Sequence, residues 1–167
     1  MKKIIASILA CIIMIVGFVG CNTSDVLTSV IQKTYSLTIT AQNVVTTANS
    51  TNMATIATVL NVSLGVVDSA LAYVTPKITN QKVLEAIAKA RAAIVTVRTA
   101  LTNLTPATLE QTRQTILASL DVMKSTVVSV ADYFKIPLPV TMKASTGDPI
   151  KDLKDANDAL SEILNKK

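Results

Sequence analysis

The sequence predicts an all-α protein, an antiparallel, up-down four-helix bundle with an additional C-terminal amphipathic helix. Three observations carry that expectation. Beyond the first twenty residues, apolar and small side chains recur in steps of three and four, the period of one helix face, rather than in the alternation of a strand. The four segments that show this are joined by short Asn/Thr/Pro connections, which mark turns. Half of the 167 residues are hydrophobic while only 3% are aromatic, so the core is built from aliphatic and small side chains. A stripe of 3.5-residue spacing with short connections is what a left-handed antiparallel bundle requires. The bundle is assigned to residues 26–135, a loop to 136–148 and the last helix to 149–167.

The elements follow in order. Ser24 or Asp25 can cap a first helix whose stripe is Leu27, Val30, Thr34, Leu37, Ala41, Val44 and Ala48, ending around Asn49–Asn52. Its many β-branched residues argue against helix, but length and period outweigh propensity. A second stripe runs Ile56, Val59, Ser63, Val66, Ala70 and Tyr73, and stops before Pro76, which biases Thr75 away from helical angles. The third, Val83, Ile87, Ala90, Ile94, Val97, Leu101 and Leu104, alternates steps of four and three without a slip. Thr105 is placed to cap a fourth helix with Pro106 at its first position. That helix carries Leu109, Ile116, Leu120, Met123, Val127, Val130 and Phe134, and only Arg113 breaks its stripe, at a site where a long side chain can reach out to water. Pro137 and Pro139 end it. The last helix sets Ile150, Leu153, Asn157, Leu160 and Leu164 against a charged face, closes on Lys166 and Lys167, and is expected to lie across the bundle as a cap.

Chemistry has little to work with. There is no histidine, and no glycine-rich phosphate loop, since Gly65 and Gly147 stand alone. Asp68, Asp121 and Asp132 interrupt apolar helices, but each sits on the flank of its stripe, where a carboxylate is ordinary. Asp148, Asp152, Asp155 and Asp158 lack the alternating spacing and glycine turn of a calcium loop and read as a solvated helix face. No catalytic residue, metal ligand or cofactor site is expected. Nucleic acid is not expected either, because the positive charge is spread out without interleaved aromatic residues. Lys77, Lys82, Lys89, Arg91 and Arg98 give the third helix a basic face that reads as its wet side, with contact to anionic lipid as the other reading. One absence stands out: no charged residue lies between Lys33 and Asp68, where Thr, Ser, Asn and Gln fill the polar positions. A neutral face is cheaper to desolvate than a charged one, so Tyr35 to Val67 is the candidate contact surface for a protein partner or a second copy. Met53 to Val74 is apolar enough to suggest a second membrane segment, but Asn61, Ser63 and Asp68 favour a buried helix hairpin.

The first twenty-one residues, MKKIIASILACIIMIVGFVGC, open with Lys2 and Lys3, continue as an apolar run and end with Gly20 before Cys21. That is a secretory signal, residues 1–20, with a small-residue cleavage site between Gly20 and Cys21. Phe18-Val19-Gly20-Cys21 resembles the lipobox of bacterial lipoproteins, with Phe18 where leucine is usual. The resemblance implies cleavage before Cys21, lipidation of that cysteine and a short lipidated tether, residues 21–25. Cys11 would leave with the leader, so the mature chain would have no thiol to pair. Lys2 and Lys3 are two of 16 basic residues, which leaves 14 against 11 acidic ones after cleavage. Asn22 resembles the residue that follows the cysteine in lipoproteins sorted to the outer membrane.

The expectation is therefore a lipid-anchored protein on the periplasmic or extracellular side of a bacterial cell membrane or outer membrane, a non-catalytic structural or interaction module. Two alternatives accompany it. One is a carrier of lipid or another small apolar ligand, with Ala48, Ser63, Ala70 and Ala90 leaving room in the core. The other is an analogy of build with prophage lipoproteins that exclude superinfecting phage.

Overall fold

The computed structural model describes residues 25–139 and 147–166, all-helical with no strand among them. The helices are α1, with described residues 25–46, α2 (Met53–Val74), α3 (Gln81–Thr102), α4 (Leu109–Phe134) and α5 (Pro149–Asn165). Gly20, Cys21 and the tether up to residue 24 lie outside the described residues, as do 140–146 of the expected loop.

Local chemistry sets each boundary. α1 ends earlier than its stripe suggests, at residue 46. There Thr46 and Thr47 turn their hydroxyls back onto the carbonyls of Asn43 (2.6 Å) and Val44 (2.8 Å). Asn49 and Asn52 then build the connection: Asn49 Oδ1 accepts from the Thr51 and Asn52 amides, and Asn52 Oδ1 accepts from the Asn49 amide. Side-chain oxygens that compete with the helix ladder for backbone amides explain the early stop. α2 ends at Val74, and Pro76 sits in a 3₁₀ turn, Thr75–Lys77, at a position that needs no amide proton. Asn80 caps α3 by accepting from the amides of Lys82 and Val83. The start of α4 corrects the expectation built on Thr105 and Pro106. Thr105 and Thr108 exchange hydroxyl and amide bonds across a tight turn, Pro106 is spent inside it, and α4 begins at Leu109. Lys135 in the left-handed conformation closes α4, with the Ile136 amide on the Ala131 carbonyl at 2.9 Å.

Most of the predicted stripe positions form the core, while Val66, Tyr73, Leu101, Leu104 and Phe134 among them are only partly buried. Val30, Thr34, Leu37, Ala41 and Val44 of α1, Val83 to Val97 of α3 and Ile116 to Val130 of α4 are buried at the expected steps. α2 is buried over a wider arc, with Leu60, Leu64, Val67, Leu71 and Val74 added to its stripe, because it touches more neighbours. Pairings between helices fix the register. Gln32 Nε2 donates to Pro137 O, Gln42 Nε2 to Asp121 Oδ1 and Arg113 Nη2 to Ala48 O, so residue numbers rise along α1 as they fall along α4. Thr126 Oγ1 donates to Ala86 O at 3.0 Å, locking α4 to α3 at a buried position.

α5 does not lie across the end of the bundle. It packs on α2, middle to middle: Asn157 Nδ2 donates to Ser63 Oγ at 3.0 Å, flanked by Leu153 and Leu160, both fully buried. An amphipathic helix with three turns of aliphatic residues covers more area on a flank than across the four helix ends. Asn157 Oδ1 is buried and has no hydrogen-bond partner, while Ser63 keeps its own bond to Val59 O. An unpaired buried acceptor costs about 1–3 kcal/mol. Asn157→Leu is therefore expected to raise the melting temperature, and a fall would show that the polar pair is needed for seating α5.

Candidate functional site

The sequence places the candidate site at Cys21, and the described chain begins four residues later as α1. Four residues span at most about 14 Å when fully extended, so whatever is attached to Cys21 is held close to the N-terminal end of α1. That end of the bundle also holds the end of α2, the turn Thr75–Lys77, the start of α3 and the end of α4. Several bonds tie it together: Gln32 Nε2 to Pro137 O at 2.8 Å, and Thr79 to Tyr133, whose hydroxyl lies 3.3 Å from the Thr79 amide and 3.1 Å from Oγ1. The Thr79 bonds stabilise the phenolate and hold the Tyr133 hydroxyl below its ordinary pKa. Tyr133 also meets Phe134 edge-on at 4.8 Å, and the Lys77 ammonium sits 4.1 Å from the centroid of the Tyr73 ring.

This aromatic end is what reading along the sequence missed. Tyr73 lies some sixty residues before the adjacent pair Tyr133 and Phe134, and along the chain Tyr73 and Phe134 belong to separate stripes while Tyr133 belongs to none. The signal that could have found them is topological, since each occupies the last turn of its helix, α2 or α4, and both helices end on the same side of the bundle.

The uncharged stretch forms the outer sides of α1 and α2 and the connection between them. Asn43, Thr46 and Thr47 of the first hairpin arm and Thr55, Thr58, Asn61 and Val62 of the second are exposed, with Val62 at 55%. Much of the hydroxyl capacity along these helices is turned inward on the backbone: Ser36, Thr40 and Thr58 each donate to the carbonyl four residues back. Part of the neutrality is thereby structural, because these oxygens and the Asn49–Asn52 turn satisfy the chain's own groups. What faces out is rich in threonine methyls and carries no charge.

The isolated carboxylates are not brought together. Asp68 Oδ1 lies 3.2 Å from Arg91 Nε across the α2–α3 seam, Asp121 accepts from Gln42 across α1–α4, and Asp132 is exposed on the last turns of α4. Among the described residues no group of three or more His, Cys, Asp or Glu side chains is placed to hold a metal. In α5, Asp148 caps the helix through the amides of Ile150 and Lys151, and Asp155 pairs with Lys151 at 2.7 Å. Arg91 of the basic face is engaged with Asp68, while Lys82, Lys89 and Arg98 are exposed on α3. Arg113 stays partly exposed, and its guanidinium lies over the C-terminal end of α1, bonded to Ala48 O at 2.5 Å and paired with exposed Glu110 at 2.8 Å. A cation there satisfies a carbonyl that the helix ladder leaves open.

Two recesses enter the core, one below Val45, Met53 and Leu104 and one between Ile31, Ala70 and Val127. Each has room on the scale of a water molecule or two. Ala48 and Ala70 line these recesses, while Ser63 and Ala90 are buried elsewhere in the core; at this size an acyl chain would enter only if the helices parted. α2 with its turn, Met53–Lys77, is the one stretch among the described residues long and apolar enough to cross a membrane. One side of it packs inside the bundle, with Leu60, Leu64 and Val67 all buried, while Val62 on the other side is exposed. Comparison of the chain with known protein families, with curated proteins and with solved structures finds no match in any of the three.

Proposed function

We propose that the protein is a lipid-anchored envelope module of a bacterium that acts by contact rather than by catalysis. The observation that carries this reading is the signal-like leader ending in Phe18-Val19-Gly20-Cys21, four residues ahead of a folded helix. A cysteine at that position, diacylated and then freed as the first residue by cleavage of the leader, holds the bundle against the membrane surface. The remaining features are in keeping with an interaction module. The carboxylates Asp68 and Asp121 are occupied in separate helix–helix contacts, and the exposed part of the charge-free stretch from Tyr35 to Val67 desolvates cheaply against a partner.

The first experiment is the mass of the N-terminal peptide from protein isolated from its host membranes. The expected peptide begins at Cys21 and carries the added mass of a diacylglyceryl group, and Cys21→Ser abolishes both modification and membrane retention. A peptide beginning at Met1 would make the leader an uncleaved anchor, and an unmodified peptide beginning near Cys21 would make the protein secreted. Either result overturns the lipoprotein reading. Cross-linking through the α1–α2 face in intact cells then asks for the partner.

A further inference from the structure

We propose that the end of the bundle next to Cys21 is itself a membrane-contact surface, which seats in the headgroup region of the bilayer and holds the bundle upright on it. The inference rests on the lipid-anchor reading for its geometry, and on the side chains of this end for its chemistry.

The sequence after Cys21 has four aromatic residues, and three of them, Tyr73, Tyr133 and Phe134, lie at this one end. All three are partly exposed rather than fully buried, although the core has fully buried positions in quantity. They stand beside exposed Pro76 and Pro137 and half-buried Ile136 and Leu138. Lys77 extends over Tyr73, and Lys135 is exposed at the end of α4. Rings that are apolar in body and polar at the tip, next to lysines with long aliphatic stems, are what the bilayer interface selects. The opposite end has none of this. Its connections, residues 46–52 and 103–108, are Thr, Asn, Ser, Ala, Leu and Pro, with neither an aromatic nor a charged residue. A protein partner at the near end is the weaker assignment, because the tether of at most about 14 Å leaves little space between that end and the membrane for another folded chain.

The chain has no tryptophan, so a single introduced one is a clean reporter. Phe134→Trp and Tyr73→Trp place it at the near end, and Ala107→Trp places it at the far end. The protein is purified as the host makes it and studied in phosphatidylcholine–phosphatidylglycerol vesicles, with and without lipids brominated on the acyl chains. The expected result is a blue-shifted emission for Trp at 134 and 73 that loses most of its intensity on brominated vesicles, with Trp at 107 unaffected. Near-end emission as unquenched as that at 107 would overturn the proposal. So would a blue shift that grows with protein concentration in the absence of vesicles, which would assign this end to a second copy. The N-terminal peptide mass from the same preparation reports the anchor separately. A lipidated Cys21 with unquenched near-end tryptophans therefore refutes this contact alone, and an unlipidated chain refutes the anchor.

Discussion

Leu60→Ala is expected to destabilise the protein by about 3–5 kcal/mol, at the upper part of the range for truncating a buried leucine. Leu60 is fully buried on α2, the helix with the widest buried arc, so its neighbours come from more than one side. A site enclosed in that way cannot collapse onto the missing methyl groups, and the residual cavity adds to the lost transfer energy. For a chain of this length about 2–4 °C of melting temperature corresponds to each kcal/mol, so thermal unfolding followed by circular dichroism should show a drop of roughly 6–20 °C. Val62→Ala, two residues along the same helix but 55% exposed, serves as the control, with a change of no more than about 0.5 kcal/mol. Equal effects at the two positions would mean that α2 is not packed as described.

Ala90→Leu is the second large effect, and it bears on function. Ala90 is fully buried on the inner face of α3. Forcing three more carbons into a filled core costs typically about 1–3 kcal/mol, occasionally more. The carrier alternative makes the opposite forecast, since a hollow held open by small residues for an acyl chain would accept the larger side chain with little loss or even a gain. Unfolding of the variant by urea, with and without a lipid panel, separates them. A destabilised variant with no lipid-dependent shift in the parent protein leaves the interaction module standing, and a stabilised variant would revive the carrier.

α3 and α4 were legible because each buries one narrow face, so their steps of three and four map directly onto burial: Val83, Ile87, Ala90, Ile94 and Val97, then Ile116, Leu120, Met123, Val127 and Val130. α2 was only half legible. Leu60, Leu64 and Leu71 fall outside a single stripe, and a one-face template gives them no role although they are buried. The start of α4 was misplaced because Thr105 and Pro106 suit a helix cap and a tight turn equally well, and the mutual bonds of Thr105 and Thr108 decide for the turn. The partner of Arg113 was not legible, because nothing along the chain says that the open carbonyl of Ala48 will stand in its reach. For the candidate site the asymmetry is greater: Cys21 was found from sequence alone, whereas the aromatic end was not found.

By itself the sequence determined the helical class, the extent of most helices and the position of the candidate anchor. These depend on near neighbours in the chain: apolar period, capping side chains, and the order of charge, apolar run and cysteine in the leader. Only the tertiary structure decided that α5 lies along α2 through Asn157 and Ser63, that the carboxylates Asp68 and Asp121 go to different partners, and that Tyr73, Tyr133 and Phe134 gather at the end nearest Cys21. The physical reason is that local periodicity states which face of a helix is buried but not against what. The choice of neighbour depends on how all the faces are covered together.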